Sequence, residues 1–211
     1  VSNPLYSFIY LASQSPRRQE LLKQMGIRFE MLLPSTNEDS ESIETPLPLE
    51  KARLYVERVT LAKSAAALGR WKKSGLPWAP ILCADTTVSI PNHPAGEILG
   101  KPVDAADAAR ILTMLSGKVH EVLSSVAVTV SSDEKPIQLV QVSKVQFANL
   151  SPEQIDGYIA SGEPFGKAGA YGIQGLGGAF IPSIQGSYSG IMGLPIYETK
   201  LLLDRAQVSS I

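Results

Sequence analysis

The chain is expected to fold as an α/β protein, on three observations. Runs rich in β-forming residues alternate with segments whose apolar residues recur at helical spacing. Several of those helical segments open on a capping residue, and no internal repeat is visible. At 211 residues the chain has room for one domain with two lobes, or two small domains, around a substantial core.

Taken in order, Ser7 to Ser13 reads as a first strand. Ser15-Pro16 then opens a helix, with Ser15 as N-cap and Pro16 at the first helical position. Leu21, Leu22 and Met25 give that helix its apolar face, and Gly26 stops it. Ile27 to Leu33 reads as a second strand, followed by an acidic loop from Pro34 to Pro48 that holds Glu38, Asp39, Glu41 and Glu44. Ala52, Tyr55, Val56, Val59, Ala62 and Ala66 mark a helix from about Leu49 to Leu68, and Gly69 to Pro80 is a connection. Ile81 to Ile90 is a strand, interrupted at Ala84-Asp85-Thr86, and Pro91 to Pro102 is a loop.

Asp104 and Asp107 bracket the next helix start, like a capping box with Asp in place of Glu, and the helix ends at Gly117. Val119 to Val130 and Ile137 to Phe147 are joined by Ser131 to Pro136, the pattern of a hairpin. Ser151, Pro152 and Gln154 cap a further helix that ends near Gly162. Ten of the seventeen glycines lie between Gly162 and Gly193, where the backbone must take unusual dihedrals or approach a ligand closely. A last helix follows Leu194-Pro195.

Composition excludes several classes. A net charge of −1 argues against a nucleic-acid binder, yet it permits a local basic pocket for a small anion. The longest apolar runs, such as Ile81 to Ala84, are far too short to cross a bilayer. No basic segment precedes Phe8 to Ala12, and Arg17 and Arg18 follow it, so a signal peptide is not indicated and a cytoplasmic protein is expected. The lone Cys83 reads as a buried strand residue, and one Cys with two unpaired His disfavours structural zinc. His120 is assigned no role.

Three segments are able to carry chemistry. In Leu11-Ala-Ser-Gln-Ser-Pro-Arg-Arg18 a strand runs into a helix N-terminus, where unpaired N–H groups and the helix dipole favour an anion. Ser13, Ser15, Arg17 and Arg18 add hydroxyls and fork-shaped cations suited to phosphate, although the same residues suit an ordinary capped helix with two solvated arginines. Asp85 ends the apolar run Ile-Leu-Cys-Ala, so burial asks for a metal ion or a cationic partner; a turn-capping Asp is the alternative. Gly166 to Gly178 sets Tyr171, Ile173, Gln174 and Leu176 between glycines, as a folded loop presenting backbone to a ligand would; a tight packing corner is the alternative. Gly96 to Pro102 carries Glu97 and Lys101 but fails the P-loop spacing and lacks the following Ser/Thr, which rules out a Walker-type ATPase. No Gly-x-Gly-x-x-Gly follows a strand either.

Six segments together resemble the Maf family of nucleoside triphosphate pyrophosphatases. They are Leu11 to Leu22, Ala84-Asp-Thr, Gly96 to Pro102, Leu115 to Val122, Lys167 to Gly175 and Gly193-Leu-Pro195, in the family order and spanning nearly the whole chain. The resemblance implies one Maf-like domain over 1–211, with a mixed twisted sheet, packed helices and a central cleft between two lobes. It implies hydrolysis of a triphosphate to monophosphate and pyrophosphate, with Asp85 as general base and a divalent cation, Mg²⁺ or Mn²⁺, held by Asp85 and Glu38. By the same resemblance Ser13, Arg17, Arg18, Lys63 and Lys101 line the phosphate cleft and Gln174 lies in the substrate site.

Arg17, Thr86 and Gln174 match the members acting on dTTP and UTP, where members acting on 7-methyl-GTP tend to carry Trp, Gln and Glu. A homodimer is also implied. The chain departs from the family pattern at Gly166, where Asp is frequent, and at Ala62, where Glu is frequent. The other readings are a 7-methyl-GTP enzyme, a pyrophosphatase for deaminated purine nucleotides, and a non-catalytic nucleotide-binding regulator of division.

Overall fold

The computed structural model describes residues 5–35, 42–90 and 98–209. Seven strands among these residues form one mixed sheet: β1 (Ile9–Leu11), β2 (Phe29–Met31), β3 (Ile81–Ser89), β4 (Ile98–Leu99), β5 (Val119–Thr129), β6 (Ile137–Gln146) and β7 (Ser183–Gln185). Their order is β2-β1-β3-β5-β6-β7, with β4 on the same edge of β3 as β1. β1 runs parallel to β2 and β3, and every other pairing is antiparallel. The hairpin expected from Ser131 to Pro136 is β5–β6, in register from Val119 opposite Gln146 to Val128 opposite Ile137.

Six α-helices among the described residues pack around the sheet: α1 (Pro16–Gln24), α2 (Ala52–Ser74), α3 (Ala105–Leu115), α4 (Pro152–Ala160), α5 (Tyr188–Met192) and α6 (Ile196–Arg205). Strand periodicity decides which helix each β3 side chain meets, because successive side chains point to opposite faces. Leu82 and Ala84 join Leu21, Leu22, Leu202 and Leu203 of α1 and α6. Ile81 and Cys83 join Ala67 of α2 on the other face. In α3 the buried residues Ala108, Ile111, Leu112 and Leu115 fall at i, i+3, i+4 and i+7. They pack on Ile155 and Tyr158 of α4, forming a separate cluster beyond the sheet's centre. Burial of each such Leu or Ile stabilises by about 2 kcal/mol.

Most predicted caps are observed. Ser151 and Gln154 form a full capping box, and the Asp104 side chain accepts from the Asp107 N–H at 2.8 Å. Four readings need correction. The helix predicted to end at Leu68 continues to Ser74, passing through Gly69, and stops only where Gly75 adopts φ +71°. Trp71 holds that extra turn down by packing edge-on against Trp78 at 4.7 Å. Ser15 occupies the N-cap position of α1, but its side chain makes no capping bond. The third correction matters most for the site: β3 is continuous from Ile81 to Ser89, so Asp85 is a mid-strand residue opposite Ser125 rather than a strand-end one. Finally, α5 and β7 were not foreseen in the glycine-dense region; each is short enough that no periodic signal accumulates.

Candidate active site

The site begins with a gap in the sheet. Pairing of β1 to β3 reaches Leu82, where the Ala12 N–H donates to the Leu82 carbonyl at 3.0 Å. Pairing of β4 to β3 begins at Val88. Between them, residues 84–87 keep their ladder to β5 while their other edge opens on a cleft of about 420 Å³. Asp85 and Thr86 stand in that gap on opposite faces of the sheet, each meeting a different helix.

On the α2 face, Asp85 is only 7% exposed. The Lys63 ammonium, from the middle of α2, donates to Asp85 Oδ1 and to Glu44 Oε1, both at 2.7 Å. Glu44 Oε2 accepts in turn from Lys101 Nζ at 2.9 Å. The result is an alternating chain of charges, Lys101, Glu44, Lys63 and Asp85. Burial by itself would raise the pKa of Glu44, but the Lys63 charge and the hydrogen bonds from both lysines outweigh it and hold the carboxyl's pKa at about 2.

On the α1 face, Thr86 pairs with Ser124 of β5, their hydroxyl oxygens 2.8 Å apart. Arg18 organises this side. Its Nε donates to the Gly193 carbonyl at 2.9 Å, Nη1 to Ser13 Oγ at 2.9 Å and Nη2 to Thr86 Oγ1 at 3.4 Å. Arg17 Nε donates to the Met192 carbonyl at 3.1 Å. Burial lowers the basicity of both guanidinium groups, yet from so high a starting value that both stay charged. Ser13 Oγ accepts from Arg18 and, at 3.3 Å, from the Ser15 N–H. With both lone pairs engaged, its hydroxyl proton is left for a ligand in the cleft.

Among the described lining residues, six cations (Arg17, Arg18, Lys63, Arg70, Lys101 and Lys167) face two carboxylates (Glu44 and Asp85), an excess of four positive charges. That excess is concentrated in one pocket of a chain whose net charge is −1. The open N-terminus of α1 points into the same space through Ser15, Pro16 and Arg17. An anion with several charges is the ligand such a pocket selects.

Ser13, Arg17, Arg18, Lys63, Asp85, Thr86, Lys101 and Gln174 were singled out from sequence, and all eight line this cleft. Glu38 lies outside the described residues. Six contributors were missed, Arg70 of α2 among them. Glu44 was one acid among several in a loop, with nothing local to mark it. Ser124 and the carbonyls of Met192 and Gly193 join through tertiary contact alone. Lys167 had a usable signal, since it is the one cation inside the glycine-dense run.

Among the described residues no group of three or more His, Cys, Asp or Glu side chains is arranged to hold a metal ion. The donors present nevertheless suit a hard divalent cation. Asp85 and Glu44 converge on one ammonium, and Mg²⁺ typically takes one or two carboxylates with substrate phosphates and water.

A family model described as Maf-like protein matches residues 8–206. The chain belongs to the Maf-like family. A relative from Burkholderia orbicola named dTTP/UTP pyrophosphatase is 53% identical over 208 residues, covering 99% of this chain and 97% of that protein. One of the same name from Ralstonia nicotianae is 55% identical over 201 residues, covering 95% of each. The solved structure of the Staphylococcus aureus Ham1 protein aligns with 95% of this chain and 96% of its own at a TM-score of 0.48 and 12% identity, too distant to inform the site. In this Maf-like chain no helix among the described residues is long and apolar enough to cross a membrane.

A buried histidine of β5 lies behind Tyr171, a residue of the cleft wall. His120 is fully buried, its Nε2 lies 2.8 Å from the Tyr171 hydroxyl, and its Nδ1 has no protein partner. Desolvation pushes its pKa down from 6.5 to about 4. The folded state therefore holds His120 neutral, while the unfolded chain takes up the proton near pH 6.5. Stability contributed by the neutral ring is complete above pH 6.5 and declines toward pH 4, a loss of about 3 kcal/mol. Urea denaturation at pH 7.5, 6.5, 5.5 and 4.5 checks this: the midpoint should fall across the series, and His120→Phe should flatten the decline. Parallel pH profiles for the two proteins would contradict it.

Proposed function

We propose that this chain is a nucleoside triphosphate pyrophosphatase of the dTTP/UTP type, releasing the monophosphate and pyrophosphate. The observation that carries the reading is the cleft in which six cations converge on two carboxylates at a helix N-terminus. The names of the relatives, at 53–55% identity over nearly the full chain, point the same way. Arg17, Thr86 and Gln174 support the pyrimidine preference, because a carboxamide can both donate to and accept from a pyrimidine edge.

In this mechanism the polyphosphate lies along the cationic wall formed by Arg17, Arg18, Lys63 and Lys101, with the Ser13 hydroxyl and the α1 N–H groups as further donors. Asp85, oriented through Oδ1 by Lys63, accepts a proton from the water that splits the anhydride. Phosphoryl chemistry asks mainly for positioning and charge neutralisation, which a cationic cleft provides. Asp85, with Glu38 or Glu44, would hold Mg²⁺ or Mn²⁺, and a bound cation would supply charge neutralisation at the phosphate oxygens. A homodimer and a cytoplasmic location belong to the same proposal.

The test is pyrophosphate release from dTTP, UTP, 7-methyl-GTP and inosine triphosphate, each with Mg²⁺ and with Mn²⁺. Turnover of dTTP and UTP should lead the panel. Faster turnover of 7-methyl-GTP or inosine triphosphate would overturn the base preference. Binding without turnover of any nucleotide would favour the regulator instead.

A further inference from the structure

Gln174 sits on an exposed bend of the glycine-dense segment, where free rotation would scatter a base-reading side chain. The bend is held from behind by Glu163. Its Oε2 accepts from the Leu176 N–H at 2.8 Å, and its Oε1 accepts from the Gly177 N–H at 3.1 Å and from the Tyr158 hydroxyl at 2.8 Å. The same Tyr158 oxygen accepts from the Gly172 N–H at 3.1 Å. One carboxylate and one phenol thereby tie both ends of the bend, Gly172 on one side and Leu176-Gly177 on the other, with Gln174 between them.

The glycines of the bend are what let these groups approach. A Cβ at Gly175 would collide with the Glu163 carboxylate, and one at Gly177 would stand 2.7 Å from the Tyr158 hydroxyl and 2.9 Å from the Gly172 carbonyl. Side chains larger than hydrogen are thus excluded where the staple closes. Glu163 is also tied at its own backbone: its N–H donates to Ser161 Oγ at 3.2 Å, and its carbonyl accepts from Lys167, itself a cleft residue. Charge-assisted bonds to backbone N–H groups of this kind are among the stronger ones available to a carboxylate.

We propose that Glu163 is a positioning residue for base discrimination: through Tyr158 and the N–H groups of Leu176 and Gly177 it aims Gln174 at the nucleobase. This rests on the reading of Gln174 as a base-contacting residue in a pyrimidine nucleotide pyrophosphatase. Glu163 meets the cleft's cations at Lys167, through a backbone carbonyl that a side-chain substitution keeps, and its carboxylate is bonded to the bend and to Tyr158 rather than to Asp85. Its loss should therefore weaken selection of the base while sparing the hydrolytic step.

The experiment is a double-mutant cycle on Glu163→Ala and Gln174→Ala, with kcat and KM measured for UTP and for GTP. Glu163→Ala should raise the KM for UTP at least tenfold, change kcat less than threefold, and bring the UTP-to-GTP ratio of kcat/KM to that of Gln174→Ala. The double variant should be no less selective than Gln174→Ala alone. Glu163→Gln keeps one acceptor oxygen and should recover part of the selectivity. Tyr158→Phe, which removes only a hydroxyl, should shift the ratio in the same direction and serves if Glu163→Ala fails to fold. Additive effects, or an equal loss for UTP and GTP, would overturn the assignment of Glu163 while leaving the function standing. Turnover of no nucleotide by the unaltered chain would remove the function, and this inference with it.

Discussion

Asp85→Asn should lower turnover by about 10²–10⁴-fold, the usual consequence of losing a general base. Asn has the shape of Asp and keeps an oxygen able to accept from Lys63 Nζ, the contact now made by Oδ1 at 2.7 Å. What it lacks is the charge that takes a proton from water. The strand should not notice the change, because the ladder of β3 to β5 at Asp85 and Ser125 is made by backbone groups. Pyrophosphate release under saturating UTP, measured beside a thermal melt, separates chemistry from folding. Near-parental turnover by the variant would remove Asp85 from the role of base. A collapse of the melt would show that the residue is needed for stability.

Lys63→Met is expected to have the largest effect on stability. Lys63 is the shared cation of two carboxylates that it holds 2.7 Å from its own nitrogen, with 19% of its side chain exposed against 9% for Asp85 and 31% for Glu44. Methionine keeps the length of the stem but removes the ammonium the two acids share, leaving Lys101 beside Glu44 and the Arg18 charge within reach of both. Removing one partner from a buried ion pair costs about 3–5 kcal/mol, and the partial exposure of Glu44 places this case near 3 kcal/mol. The charges are coupled, so the double variant Lys63→Met/Asp85→Asn should recover part of that loss. Urea unfolding at pH 7 on the two single variants and the double decides it. Strict additivity would mean that the ammonium does not hold the acids together.

Much of the fold was readable along the chain because the relevant energetics are local. Ser151 and Gln154 satisfy each other's backbone N–H groups within a single turn opened by Pro152, and that box is present. The heptad-like spacing of Ala108, Ile111, Leu112 and Leu115 needs only a flat apolar surface to pack on, and α4 provides it. Where prediction failed, a distant partner had overruled a local signal. Gly69 is a poor helix residue, costing about 1 kcal/mol against Ala, yet α2 runs through it because Trp71 gains a partner in Trp78 beyond the helix end. The short polar step at Asp85-Thr86 suggested a break in the strand. β5 pairs with β3 along its whole length and removes the reason for one.

The site divides along the same line. Residue types and their immediate neighbours mark Arg17, Arg18, Asp85 and the bend that carries Gln174, since a helix start, a buried acid and a glycine-dense bend are each properties of a few consecutive residues. Nothing consecutive relates Glu44 to Lys63, 19 residues later, or Arg18 to Thr86, 68 residues away. Those pairs exist because β1 releases β3 after Leu82 and because alternate side chains of a strand face opposite ways, turning Asp85 toward α2 and Thr86 toward α1. Chemistry of each group was written locally; which groups share one pocket was settled by strand register, a long-range quantity that no single stretch of chain contains.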